Sequence, residues 1–271
     1  MFRYIISISI SLIFIVCHRE ETIGEFTLKA NFDKNLEKIA SKRIYFGHQS
    51  VGNNIIMGLQ EILPNKPLKY LNIIESVGDA PESRGFFLHI PIGENTRPKL
   101  KCDDFIKQLS PELVKKLDYA MFKFCYIDIN RKTDVLALFE YYRKTITQVR
   151  DRYPELNIIH ITSPVRNSPD DLQTKIKELI GKFIGKQNNS KLDNVKRNEF
   201  NFILKEYFKG EPIFDLARAE ATYPDGREKT FKMNGKTNYS LIGEYTYDGG
   251  HLNEFGRKKV AADLIAFLAS L

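Results

Sequence analysis

The chain has no tryptophan and only three cysteines in 271 residues. So few thiols exclude a disulfide-built scaffold, and no paired His or Cys stands at metal-ligand spacing, so neither a structural metal nor a cofactor is expected. No tract of one charge is present either. The formal net charge is +7, but Lys and Arg alternate with Asp and Glu along helical stretches, and no nucleic-acid motif occurs. The charge therefore reads as solvated helix faces, and no nucleic-acid partner is expected. The middle of the chain has no linker or low-complexity segment. With 42% apolar residues, a single domain can bury a full core.

What is present begins with a short apolar leader. Met1-Phe-Arg-Tyr-Ile-Ile-Ser-Ile-Ser-Ile-Ser-Leu-Ile-Phe-Ile-Val-Cys17 carries one early positive charge and then an apolar run. The run is shorter than the about 20 residues that span a bilayer as a helix, so residues 1–17 read as an export signal. Cys17 resembles the lipid-modified cysteine of bacterial lipoproteins. That resemblance implies export to a bacterial cell envelope, lipid-anchored or periplasmic, with membrane contact only through a lipid on Cys17. Residues 18–42 form a lead-in that includes an amphipathic helix, and residues 43–271 form the domain. Cys102 and Cys125 read as unpaired structural thiols.

From residue 43 the pattern alternates between apolar strands and amphipathic helices. Strands are expected at 43–47, 69–75, 119–129, 157–162 and 212–216, with helices at 51–62, 133–153, 169–184, 191–208 and after 254. Parallel strands need crossovers, and helices supply them, so the fold class is α/β: a three-layer α/β/α sandwich on a five-stranded, mainly parallel sheet. Residues 78–99, with Pro81, Pro91 and Pro98, read as a long loop, and 217–247 as a second irregular insertion.

Two segments carry chemistry. Arg43-Ile-Tyr-Phe-Gly-His-Gln-Ser50-Val-Gly is a strand, a turn and a helix start, where backbone N–H groups converge and ligands bind in α/β sheets. Asp248-Gly-Gly-His251-Leu-Asn can fold back so that the carboxylate holds Nδ1–H and leaves Nε2 to accept a proton from a hydroxyl. Each alone has a structural reading, Ser50 as a helix N-cap and His251 as a partly buried histidine. Both fall on one sheet edge if the strands are parallel.

These blocks resemble the SGNH hydrolases, also called GDSL esterases and lipases. The terminal block, with Asp248, His251, Leu-Asn and Gly256, falls as that family's last block does. The first block, Gly47-His-Gln-Ser50, has one residue more than the usual Gly-Asp-Ser. The resemblance implies a flavodoxin-like strand order 2-1-3-4-5 and a serine nucleophile at Ser50, with His251 as base and Asp248 as its orienter. It also implies oxyanion donors from the Ser50 N–H, a Gly after the second strand (Gly78) and an Asn after the third, where two candidates stand: Asp128 has the expected distance along the strand, but an ionised carboxylate repels an oxyanion, which favours the amide of Asn130. Asp128 is otherwise a structural or substrate-binding residue, His48 supports the turn first and binds substrate second, and His89 and His160 read as structural. The expected activity is serine-dependent ester hydrolysis without a cofactor, removing an acyl, plausibly acetyl, group from a small-molecule or glycan ester. An acyltransferase would use the same residues. The lengthened first block also suits a glycan-binding envelope protein that keeps the fold with little chemistry.

Overall fold

A computed structural model describes residues 27–28, 30–63, 71–81, 84–168 and 190–271. The leader at 1–17 and the helix expected at 169–184 lie outside them. The described chain runs α1 (Phe32–Ile39), β1 (Arg43–His48), α2 (Val51–Ile62), β2 (Asn72–Ile74), β3 (Phe86–Pro91), α3 (Pro98–Gln108) and α4 (Pro111–Val114). It continues with β4 (Tyr119–Phe122), α5 (Val135–Arg152), β5 (Asn157–Ile161), α6 (Ser190–Tyr207), β6 (Ile213–Phe214), α7 (Leu216–Ala221), β7 (Thr230–Met233), β8 (Lys236–Tyr239) and α8 (Glu254–Leu268).

Strands β2-β3-β1-β4-β5-β6 form the main sheet, and every described pairing in it is parallel. Helices cover both faces, giving the expected three-layer sandwich. In β1 the pleat sends Ile44 and Phe46 to one core and Tyr45 to the other. The first core is completed by α1, α2, α7 and α8, the second by α3, α5 and α6.

The sheet has six strands where the sequence suggests five. The additional one is β3, inside the stretch read as a loop. Phe86-Phe-Leu-His-Ile is an apolar run suited to a strand covered on both faces, and its partners are the distant β1 and β2. Without β3 the order is the flavodoxin-like one, so β3 is an insertion between the first and second strands. It leaves β2 at the sheet edge but sets it one strand further from β1. The second insertion is also ordered, as α7, the β7–β8 hairpin and a 3-10 turn at Gly243–Tyr245.

One helix contact sets up the site. Gly58 lies so close to α8 that a Cβ there would stand 2.2 Å from the Arg257 carbonyl oxygen, which only glycine permits. Arg257 Nε also reaches both Glu61 carboxylate oxygens at 2.9 Å. The α2–α8 seam therefore holds the N-terminus of α2, and with it Ser50, against the segment leading into α8.

Candidate active site

Strand β1 ends at His48, and α2 opens at Val51. Ser50 sits between them with φ 54° and ψ −112°, a left-handed conformation costly for a residue with a Cβ. Its side chain makes no capping bond to the helix. Instead Ser50 Oγ lies 2.9 Å from His251 Nε2. The N-cap reading of Ser50 thus gives way to a hydroxyl turned toward an imidazole.

Behind the imidazole, His251 Nδ1 lies 2.6 Å from Asp248 Oδ2. The other oxygen, Oδ1, accepts the N–H groups of Gly250 at 2.8 Å and His251 at 2.7 Å. Partial burial pushes the Asp248 carboxyl up. It is outweighed by the hydrogen bonds from the His251 ring and from the His251 and Gly250 amides, which hold the group well below the usual carboxylate range. Ionised at neutral pH, Asp248 fixes Nδ1 as the protonated ring nitrogen and leaves Nε2 a lone pair for the serine proton. The side chains of His251 and Asp248 are 44% and 52% exposed, so the site is open to solvent.

Neighbouring elements hold this loop in place. Asn54, in the first turn of α2, accepts the Leu252 N–H at 3.1 Å and ties the histidine loop directly to the serine helix. Arg166, after β5, donates to the carbonyls of Asp248 at 3.1 Å and Gly249 at 3.3 Å. The Tyr126 ring stands edge-on to His251 with centroids 5.6 Å apart and lies beneath the Arg166 guanidinium. A Cβ at position 250 would come within 2.8 Å of that ring, so the second glycine of Asp-Gly-Gly-His serves close approach. Burial, then Asp248, pushes the Tyr126 phenol up, so it stays a hydrogen-bond donor.

Other expected site residues have different roles. Gly78 lies in a 3-10 turn after β2, and its N–H donates to Ser76 Oγ at 3.2 Å. Because β3 intervenes, β2 stands two strands from β1, about 10 Å away, which takes Gly78 out of an oxyanion position. Asn130 closes a local turn, its Oδ1 accepting the Lys132 N–H at 2.9 Å and its own N–H reaching Thr133 Oγ1 at 2.9 Å. Asp128 is not on the substrate side. It is buried against the Lys101 ammonium and accepts the N–H groups of Thr96 at 2.8 Å and Cys125 at 2.6 Å, tying two loops together. His48 has the supporting role and not the substrate one, since it is fully buried, with Nε2 3.1 Å from His89 Nδ1 and its ring stacked on Phe46. His160 is held between the Tyr142 hydroxyl at 2.8 Å and Glu211 at 3.0 Å. Cys102 and Cys125 are buried free thiols.

Four residues around the triad carry weak sequence signals or none. Asn54 is one polar residue among several on an exposed helix start, Tyr126 is an aromatic in an apolar run, and Arg166 follows a strand end. Lys123 alone is conspicuous, as a cation inside Ala120-Met-Phe-Lys-Phe-Cys.

No family model and no curated protein matches the chain. Among solved structures, the chain is similar to a protein described as a platelet activating factor from Streptococcus pneumonia, with 17% identity, 88% of each chain covered and a TM-score of 0.46. It is similar to a protein assigned to the lipolytic G-D-S-L family from Desulfitobacterium hafniense, with 10% identity over 84% of this chain and 99% of that one and a TM-score of 0.40. It is also similar to the periplasmic domain of the lipopolysaccharide acetyltransferase of Salmonella ser. Paratyphi A, with 17% identity over 87% of each chain and a TM-score of 0.43. At such identities and scores these likenesses carry no argument about activity, which rests on the geometry of Ser50, His251 and Asp248.

Proposed function

We propose that this chain is a serine-dependent esterase that removes a short acyl group, acetyl foremost, from a carbohydrate or similar cell-envelope substrate. The observation that supports it is the Ser50 hydroxyl 2.9 Å from His251 Nε2, with Asp248 behind the ring. Ser50 Oγ attacks the ester carbonyl carbon while its proton passes to Nε2. Negative charge on the carbonyl oxygen is met by backbone N–H groups at the N-terminus of α2. The intermediate collapses, the C–O bond breaks, and His251 returns the proton to the departing alcohol. Water then attacks the acyl-serine with His251 again as base, releasing the acid and restoring Ser50. No step needs a cofactor.

The openness of the site favours a small acyl group on a bulky alcohol, because the alcohol can remain in solvent while the acyl carbonyl reaches Ser50. A cavity of about 640 Å³ opens instead between α1, α7 and α8, beside Phe32, Phe214 and Phe255, and none of the three triad residues lines it. The test is turnover of p-nitrophenyl acetate against the octanoate ester, with acetate release from an O-acetylated polysaccharide. Faster acetate hydrolysis and release of acetate are expected. A preference for the long chain, or no turnover of any ester, contradicts the reading.

The apolar leader supports export to the cell envelope, where a lipid on Cys17 would hold the enzyme. Full-length protein should partition into detergent, and Cys17→Ser should move it to the aqueous phase. Equal partition of the two would overturn the anchor.

A further inference from the structure

Lys123 follows β4 directly, and its side chain is almost entirely buried. Burial drives the ammonium pKa down, so the fold bears a desolvation cost that a methionine of similar volume would avoid. What the group does there is visible in its contacts. Nζ donates to the Gln49 carbonyl at 3.0 Å and the Phe124 carbonyl at 3.2 Å, and lies 3.8 Å from Cys125 Sγ. The Gln49 carbonyl also accepts the Gly52 N–H at 3.0 Å and the Cys125 thiol at 3.4 Å.

That carbonyl belongs to the peptide unit that carries the Ser50 N–H. A trans peptide is planar, with C=O and N–H pointing in opposite directions. Drawing the Gln49 oxygen inward onto Lys123 therefore turns the Ser50 N–H away from the core, and it fixes the peptide plane from which the strained Ser50 φ is measured. We infer that Lys123 is a positioning residue: by anchoring the Gln49 carbonyl it holds Ser50 in its left-handed conformation and aims the Ser50 N–H at the oxygen of the acyl group. The inference rests on Ser50 being the nucleophile. It accounts for a buried cation that touches neither Asp248 nor His251, and for the convergence of three donors on one carbonyl.

The test compares Lys123→Met and Lys123→Gln with the parent. For Lys123→Met, kcat on p-nitrophenyl acetate should fall about 10²-fold, the lower end for loss of one oxyanion donor, with KM within about twofold. The rate of fluorophosphonate labelling at Ser50 should fall in proportion. The thermal unfolding midpoint should not drop, because a desolvated charge has been removed; a purely structural lysine would lower the midpoint and leave the activity of the folded fraction intact. Lys123→Gln, which keeps a shorter donor, should be intermediate, and it decides the matter if the methionine variant does not fold. A labelled parent whose variants label and turn over within twofold of it would overturn this inference alone. An unlabelled parent would remove the nucleophile assignment and this inference with it.

Discussion

Ser50→Ala should turn over p-nitrophenyl acetate about 10⁴- to 10⁶-fold more slowly than the parent, the range found when a triad nucleophile is removed. At about 1.4 kcal/mol per tenfold, that is about 6 to 8 kcal/mol of transition-state stabilisation. The effect is large because the hydroxyl is the only group at Ser50 that can form the covalent intermediate, while the α2 N-terminus and the histidine remain to give residual rate. The fold should not suffer. Ser50 makes no capping bond, so alanine forfeits no helix cap. Glycine goes further: with φ at 54°, Ser50→Gly should raise stability by about 1 kcal/mol in urea unfolding while abolishing turnover. Loss of activity with retained or increased stability separates a catalytic serine from a structural one. A Ser50→Ala variant within tenfold of the parent would contradict the mechanism.

Asp248→Asn should lower kcat about 10³- to 10⁴-fold at neutral pH. The asparagine Oδ1 can still accept the Gly250 and His251 amides, so the loop geometry survives. Its other terminus becomes an NH2 facing Nδ1, and two donors cannot pair. The ring shifts to the tautomer with hydrogen on Nε2, which then points a proton at the Ser50 hydroxyl and cannot accept one. The pH profile carries a second expectation. Because the Asp248 carboxyl is held well below its usual range, any stability it lends is present above the unfolded-state pKa and is lost only as pH falls through the lower folded value. Any acid loss of near-UV circular dichroism that traces to Asp248 should therefore set in only below the usual carboxylate range. Unchanged kcat in Asp248→Asn would contradict this assignment.

The legibility of the site follows the locality of its causes. The β1–Ser50–α2 turn and the Asp248–His251–α8 entry are short-range patterns: a strand or turn meeting a periodic helix, with polar residues at the junction. Both are readable from residues within a few positions of each other, and the parallel sheet then brings them to one edge. Gly78 is placed differently for another reason. Its position depends on which strand lies beside β1, and β3 changes that order from within a stretch whose prolines and glycines read as loop, whereas Asn130 follows β4, which pairs with β1 directly, and its Oδ1 is taken by a local turn. Nothing near Phe86 states that its partners are Arg43 and Asn72. Asp128 looks available for substrate until Lys101, 27 positions upstream, claims it. His48 reads as a site residue from its place beside Ser50, but the pleat of β1 turns it into the core. Lys123 carries a sequence signal of another kind, a charge inside an apolar run, where a cation must have a buried acceptor to reach.

The most direct measurement is peptide mass spectrometry after exposure of the folded protein to a fluorophosphonate. One adduct is expected, on the peptide containing Ser50, formed rapidly by the parent and far more slowly by Asp248→Asn. An adduct on another serine, or none under conditions where the protein is folded, would contradict it.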